Sequence, residues 1–184
     1  FMNSPTCGTL LIAEPFMKDR NFQRSVVLMC EHDPSGSFGI TINKITKDVL
    51  GDYLPNCEHI KAPVFDGGPV GKDHMHFLHQ RADLIGGGRE VAKGIYWGGD
   101  FDTAIEMLTN NEISKNEIRF YLGYAGWESK QLDNEMEEKS WLLLNATPAI
   151  VFFKNPSQMW KESIKQMGKD FHPIMHYPLD PTYN

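Results

Sequence analysis

The amino-acid sequence predicts an α+β fold, and three observations carry that prediction. Strand-like segments outnumber helical ones. They come in consecutive runs, as strands grouped in one sheet do, rather than in the regular alternation of βαβ units. Two of them, residues 25–30 and 38–43, are joined by so short a loop that they should pair antiparallel. A length of 184 residues is closer to one domain than to two, so 1–184 is read as a single unit.

Taken in order, residues 10–13 form a short apolar run after Gly8 and read as a strand. Residues 25–30 are apolar on both alternating sets, Val26, Leu28 and Cys30 against Val27 and Met29, as expected of a strand covered on both faces. The stretch His32-Asp33-Pro34-Ser35-Gly36 is turn chemistry, after which Phe38, Ile40 and Ile42 alternate with Gly39, Thr41 and Asn43. Residues 63–66 make a further strand that ends in Gly67-Gly68-Pro69, and 74–80 and 91–97 make two more around Gly86-Gly87-Gly88. Asp100 is a candidate N-cap for a helix in which Phe101, Ala104, Ile105 and Leu108 recur at helical spacing. Ile118, Phe120 and Leu122 alternate with Arg119 and Tyr121 in another strand. The segment Gly123-Tyr124-Ala125-Gly126-Trp127 is expected to turn on its glycines into a helix at about 129–138 that buries Leu132 and Met136. Residues 141–144 add a strand. Ser157 opens a last helix with Trp160, Ile164 and Met167 inward and Gly168 as its stop, and a proline-containing tail runs from about 170.

Composition bounds the function. Hydrophobic residues are 41% and charged residues 23% of the chain, the balance of a globular domain, which sets aside disorder, coiled coil and collagen. Lys and Arg total 18 against 24 Asp and Glu, a formal charge of -6 with no basic cluster, so direct nucleic-acid binding is not expected. The longest purely apolar runs are five residues, too short for a membrane span or a secretory core segment. Three cysteines without metal-binding spacing read as reduced thiols in a cytoplasmic protein.

Four groups of residues are candidates for chemistry. Glu31 and His32 can supply acid–base groups, or can satisfy turn amides; His32 and Asn43 lie at opposite ends of their hairpin and are not expected to touch. Gly67-Gly68-Pro69 can cradle an anion with backbone amides, or can simply be a tight turn. His74, His76 and His79 share a strand, but two imidazoles on one face do not make a metal site, and no metal is assigned. Tyr124 and Trp127 can form an aromatic wall beside Gln131 and Glu135, which are i,i+4 on one helical face. In the alternative reading, Trp127 plugs the core and Glu135 binds loop amides.

Together the motifs resemble a known family. They are Gly8-Thr9-Leu10-Leu11-Ile12-Ala13-Glu14-Pro15, Asp19-x-x-Phe22-x-x-Ser25-Val26, His32-x-x-x-Gly36-x-x-Gly39-x-x-x-Asn43, Gly67-Gly68-Pro69-Val70, Leu78-His79, Gly123-Tyr124-Ala125-Gly126-Trp127 and Gln131-Leu132-x-x-Glu135. They resemble the AlgH family of bacterial proteins over nearly the whole chain. One departure is Lys44-Ile45 after Asn43, where the family pattern carries a proline. The resemblance implies a strongly curved, mostly antiparallel mixed sheet, partly barrel-like, with helices packed outside. It implies no particular reaction. The family's association with transcriptional regulation supplies no mechanism, because a fold hosts many functions.

The expectation is therefore a cytosolic binding or regulatory module for a small ligand or protein partner, without a cofactor. Its surface would combine His32, Asn43, Gly67, Gly68, Pro69, Tyr124, Trp127, Gln131 and Glu135. The alternative is a hydrolase-like acid–base enzyme using Glu31, His32 or Glu135, against which stands the lack of a nucleophile motif such as GxSxG. A third reading is a DNA-binding regulator.

Overall fold

A computed structural model describes residues 4–177. Ten strands build one curled sheet: β1 (Thr9–Ala13), β2 (Val26–Asp33), β3 (Gly36–Thr41), β4 (Ile45–Val49), β5 (Pro63–Asp66), β6 (Val70–His79), β7 (Arg89–Ala92), β8 (Ile95–Trp97), β9 (Ile118–Glu128) and β10 (Trp141–Asn145). The helices are short: α1 (Phe101–Thr109), α2 (Gln131–Glu137), α3 (Pro148–Val151) and α4 (Met159–Gln166). The strand order is β10-β1-β2-β3-β9-β6-β8-β7, with β4 and β5 off that path. Every pairing is antiparallel except β5 with β9, so the sheet is mixed in the expected sense.

The sheet curls because its ladders are interrupted. Register shifts fall between Met29 and Glu31 on β2 and between Val70 and Met75 on β6, and extra residues of this kind bend a strand and raise its twist. The result is a half-barrel with apolar side chains on both faces of its central strands. Val26, Leu28 and Cys30 join the interior cluster with Ile40, Phe65, Tyr121 and α4, while Val27 and Met29 join Trp127, Leu132 and Trp141 on the other side. This is the two-faced burial that the apolar run of β2 predicts. The Asp100 cap forms as expected, its carboxylate accepting from the Thr103 amide at 3.2 Å.

Three elements differ from expectation. Residues 91–97 are a hairpin rather than one strand: Gly94, at φ +79°, turns the chain between β7 and β8. Strand β4 has no alternating signature, because Lys47 and Asp48 are exposed on it. Most consequential, Gly123–Trp127 is not a turn but the second half of β9. A Cβ on Gly123 would stand 2.6 Å from the Gly68 carbonyl oxygen, so the glycine is there for close packing. The tail after Gly168 is a 3-10 segment, Lys169–His176, around Pro173; Pro178 and Pro181 lie outside the described residues.

Strand β9 is the spine that positions the site. One edge of it carries β6. The other carries β5 along Phe120–Leu122 and then β3 along Ala125–Glu128. Where the neighbour changes from β5 to β3, the sheet has a seam, and Gly67-Gly68-Pro69 fills it.

Candidate functional site

At the seam, the glycines are locked against β9. The Gly67 amide donates to the Leu122 carbonyl at 2.8 Å, and the Thr41 amide donates to the Gly67 carbonyl at 2.8 Å, stitching the ends of β5 and β3 together. A Cβ on Gly67 would meet the Gly123 oxygen at 2.3 Å, and one on Gly68 the Tyr124 oxygen at 2.2 Å. The Gly68 amide donates to Asp66 Oδ1 at 3.1 Å. Both glycine amides are thus occupied within the fold, and the turn offers no backbone cradle.

What the turn does shape is a cavity of about 340 Å³ lined by Asn21, Thr41, Lys44, Asp66, Gly68, Pro69 and Lys72. Lys72 pairs with Asp66. Lys44 Nζ donates to the Gln23 carbonyl at 2.6 Å. Thr41 is 2% exposed, and its hydroxyl is buried with no hydrogen-bond partner among the described residues. Such a group is uncommon in folded proteins and calls for an explanation. Asn43, one step from this cavity, is itself structural: its Oδ1 accepts from the Val26 amide at 3.0 Å and its Nδ2 donates to the Arg24 carbonyl at 2.9 Å.

His32 lies at the other end of the hairpin, as its position requires. The ring Nδ1 is 2.5 Å from Ser37 Oγ, its direct cross-strand neighbour. This serine–imidazole pair escapes a motif search because pairing across a turn, not sequence spacing, creates it. It borders a groove of about 350 Å³ that also includes Asp33, Glu128, Lys130 and Asp133. The Asp33 carboxylate accepts from Ser35, not from the imidazole. Glu31 points elsewhere and pairs with Arg89 at 3.1 Å on the surface.

Trp127 and Glu135 form a unit of their own. Trp127 is 4% exposed and packs with Phe22 and Trp141. One carboxylate oxygen of Glu135 accepts from both indoles, Trp127 Nε1 at 3.2 Å and Trp141 Nε1 at 3.1 Å. Gln131 Oε1 accepts the Glu128 amide at 3.0 Å, and Trp127, Gln131 and Glu135 together border a cavity of about 480 Å³. The burial of Trp127 is that of a core plug, with Glu135 holding indoles instead of loop amides, and the same three side chains form part of the cavity wall.

Tyr124 does not stand beside Trp127. Three residues apart on an extended strand, the two side chains leave opposite faces. Tyr124 stacks on Phe38 at 4.6 Å between ring centres, and Trp97 stacks on the same phenyl ring at 4.9 Å. His76 meets Phe38 edge-on at 5.4 Å, its Nε2 buried and unpartnered. His79 is fully buried: its Nδ1 accepts from the Arg81 amide at 3.1 Å, and its Nε2–H donates to the Gly98 carbonyl at 3.0 Å. Burial lowers the pKa of both histidines. Of the three histidines on β6, His74 alone is exposed.

The expected surface is therefore divided among four places. The seam keeps Gly68 and Pro69 with Thr41, Lys44 and Lys72, three residues the sequence reading did not select. The signal for Thr41 was present: a hydroxyl residue facing inward beside a strand that is apolar on both faces. Among the described residues, no group of three or more His, Cys, Asp or Glu is placed to hold a metal ion, and no helix is long and apolar enough to cross a membrane.

Comparison with known proteins gives a consistent result. The family model described as AlgH-like matches residues 10–172. Similar curated proteins include a UPF0301 protein of Chlorobium luteolum, 39% identical over 177 residues (96% of this chain, 94% of that one), and one of Cytophaga hutchinsonii, 37% identical over 180 residues (97% and 99%). Among solved structures, the solution structure of the AlgH protein from Pseudomonas aeruginosa aligns at a TM-score of 0.73 with 26% identity, covering 97% of this chain and 98% of that one. The crystal structure of a Corynebacterium diphtheriae protein aligns at 0.79 with 20% identity over 96% and 95%, a likeness of fold alone.

Proposed function

The chain belongs to the AlgH-like family, and from that premise we propose that it works as a binding module for a small polar ligand, received in the cavity at the β3–β5 seam. One observation carries the reading. Thr41 is a wall residue of this cavity, and its hydroxyl is buried and unpartnered among the described residues; a buried hydroxyl without a bond costs stability unless something else bonds it. The cavity volume, about 340 Å³, is at the small end of ligand sites. The three cysteines are free, which supports a cytoplasmic setting. Any effect on transcription is read as indirect, through the bound state. The net charge of -6 gives no footprint for duplex DNA, and Lys161, Lys165 and Lys169 lie on a solvated face.

The test is an amide-resolved NMR screen of the intact protein with a defined panel of sugars, nucleosides, amino acids, carboxylic acids and phosphoryl compounds. The expected result is saturable shifts concentrated at Thr41, Lys44 and residues 66–72. A panel that leaves those amides unmoved, or moves another surface instead, overturns the reading. The His32–Ser37 pair favours a second reading, an acyl-transfer enzyme with Ser37 as nucleophile and His32 as base. It is weaker, because no hydrogen bond among the described residues orients the other imidazole nitrogen.

A further inference from the structure

The charges around the seam cavity restrict what can enter it. Two ammonium groups, those of Lys44 and Lys72, face a single carboxylate, that of Asp66. Lys72 and Asp66 pair and cancel, so Lys44 is the excess charge. Its one hydrogen bond among the described residues goes to the neutral Gln23 carbonyl, and an ammonium has three donors. Burial lowers the Lys44 pKa, the nearby Arg24 lowers it further, and Asp66 offsets this only in part. Among the described residues Lys44 has no counter-ion of its own, and a half-buried cation so placed is held at a cost that an incoming anion removes. Thr41, another wall residue of the cavity, carries a neutral hydroxyl with no competing partner among the described residues.

Resting on the reading of this cavity as a ligand site, we propose that its ligand presents an oxyanion, a carboxylate or phosphoryl group, to Lys44, Lys72 and the Thr41 hydroxyl. Asp66 is the placeholder in this arrangement. It holds the Lys72 ammonium at the cavity wall and gives way to the ligand for part of that contact. Its own oxygen is not left bare, because the Gly68 amide continues to donate to it. The anion is recognised by side chains rather than by a glycine-amide cradle, since the Gly67 and Gly68 amides are already bonded within the fold. Two ammonium groups and a hydroxyl present charge and donors without the planar fork of an arginine, so they suit a rounded oxyanion head on a small molecule.

The experiment is a titration of the intact protein, followed by amide NMR, with sodium phosphate and separately with sodium acetate. Chloride holds the ionic strength constant, and ribose serves as the uncharged probe. At least one anion is expected to shift Thr41, Lys44 and residues 66–72 saturably, and the stronger of the two identifies the kind of oxyanion. Loss of one charge-assisted contact in Lys44→Gln or Lys72→Gln is expected to weaken binding about tenfold. Thr41→Val keeps every charge and is expected to weaken it about fivefold, by loss of one neutral hydrogen bond. If Thr41→Val binds the anion as the parent does, the attraction is that of surface lysines and the proposal is overturned. If ribose binds at these residues and neither anion does, the anion proposal fails while the cavity stands as a ligand site. If no probe moves them, both fail.

Discussion

Thr41→Val is the substitution with the most to say about this protein, because stability and binding should move in opposite directions. Thr41 is 2% exposed and its hydroxyl has no partner. A buried hydroxyl left unbonded costs about 1–3 kcal/mol relative to a solvated one. Valine replaces that hydroxyl with a methyl group of similar size and keeps the β-branched shape that strands favour. The backbone is untouched: the Thr41 amide still donates to the Gly67 carbonyl, and the residue still pairs with Val27. The expected gain in the ligand-free protein is about 1–2 kcal/mol. For a domain of this size each kcal/mol moves Tm by about 2–4 °C, so a rise of roughly 2–8 °C should be seen. Urea denaturation and a thermal scan in chloride buffer measure it, with Thr41→Ser as the variant that retains the hydroxyl. A loss of more than about 1 kcal/mol in Thr41→Val would refute the reasoning, since it would mean that the hydroxyl is bonded in solution and is part of the scaffold.

Four further outcomes are expected from the geometry. Trp127→Ala should cost about 3–5 kcal/mol, as a buried aromatic does, and Glu135→Ala about 2–4 kcal/mol, because both indole N–H groups lose their acceptor. Glu135→Gln, which keeps one carbonyl oxygen, should fall between Glu135→Ala and the parent; equality with alanine would show that the indole bonds contribute nothing. His79 has a folded pKa below its ordinary value of 6.5. Between that lowered value and about 6.5 the unfolded chain binds a proton that the folded chain does not, so stability is full above the window and falls as the pH drops through it. Burial lowers the His76 pKa as well, with the same consequence for stability, and the test is the slope of Tm between pH 7.5 and 5.5, which should be shallower in His79→Asn than in the parent. Under the binding reading, Ser37 should not react with a fluorophosphonate probe; stoichiometric labelling that vanishes in His32→Ala would transfer the case to the enzyme.

The residues themselves specify most of the architecture. The double-sided apolar run of 25–30, the short turn to 38–43 and the Asp100 cap are local or near-local features, and each appears where its chemistry puts it. Family membership is legible in the same way, from motifs spread along the chain. Tertiary structure decided the rest. Gly123 and Gly126 look like turn residues, but at 123 glycine is required because a separate segment, Gly67-Gly68, packs directly on the strand. Gln131 and Glu135 look like a free polar face, yet Glu135 is drawn in by two indoles, one of them on β10. The seam cavity is the clearest instance. Its walls come from the end of β3 and the end of β5, brought together only because β9 accepts both along one edge. Sequence periodicity reports which face of a strand is apolar; it carries no information about which strand ends meet. A hydroxyl such as Thr41 therefore becomes a candidate site residue only once non-local pairing has buried it beside two lysines with no partner of its own.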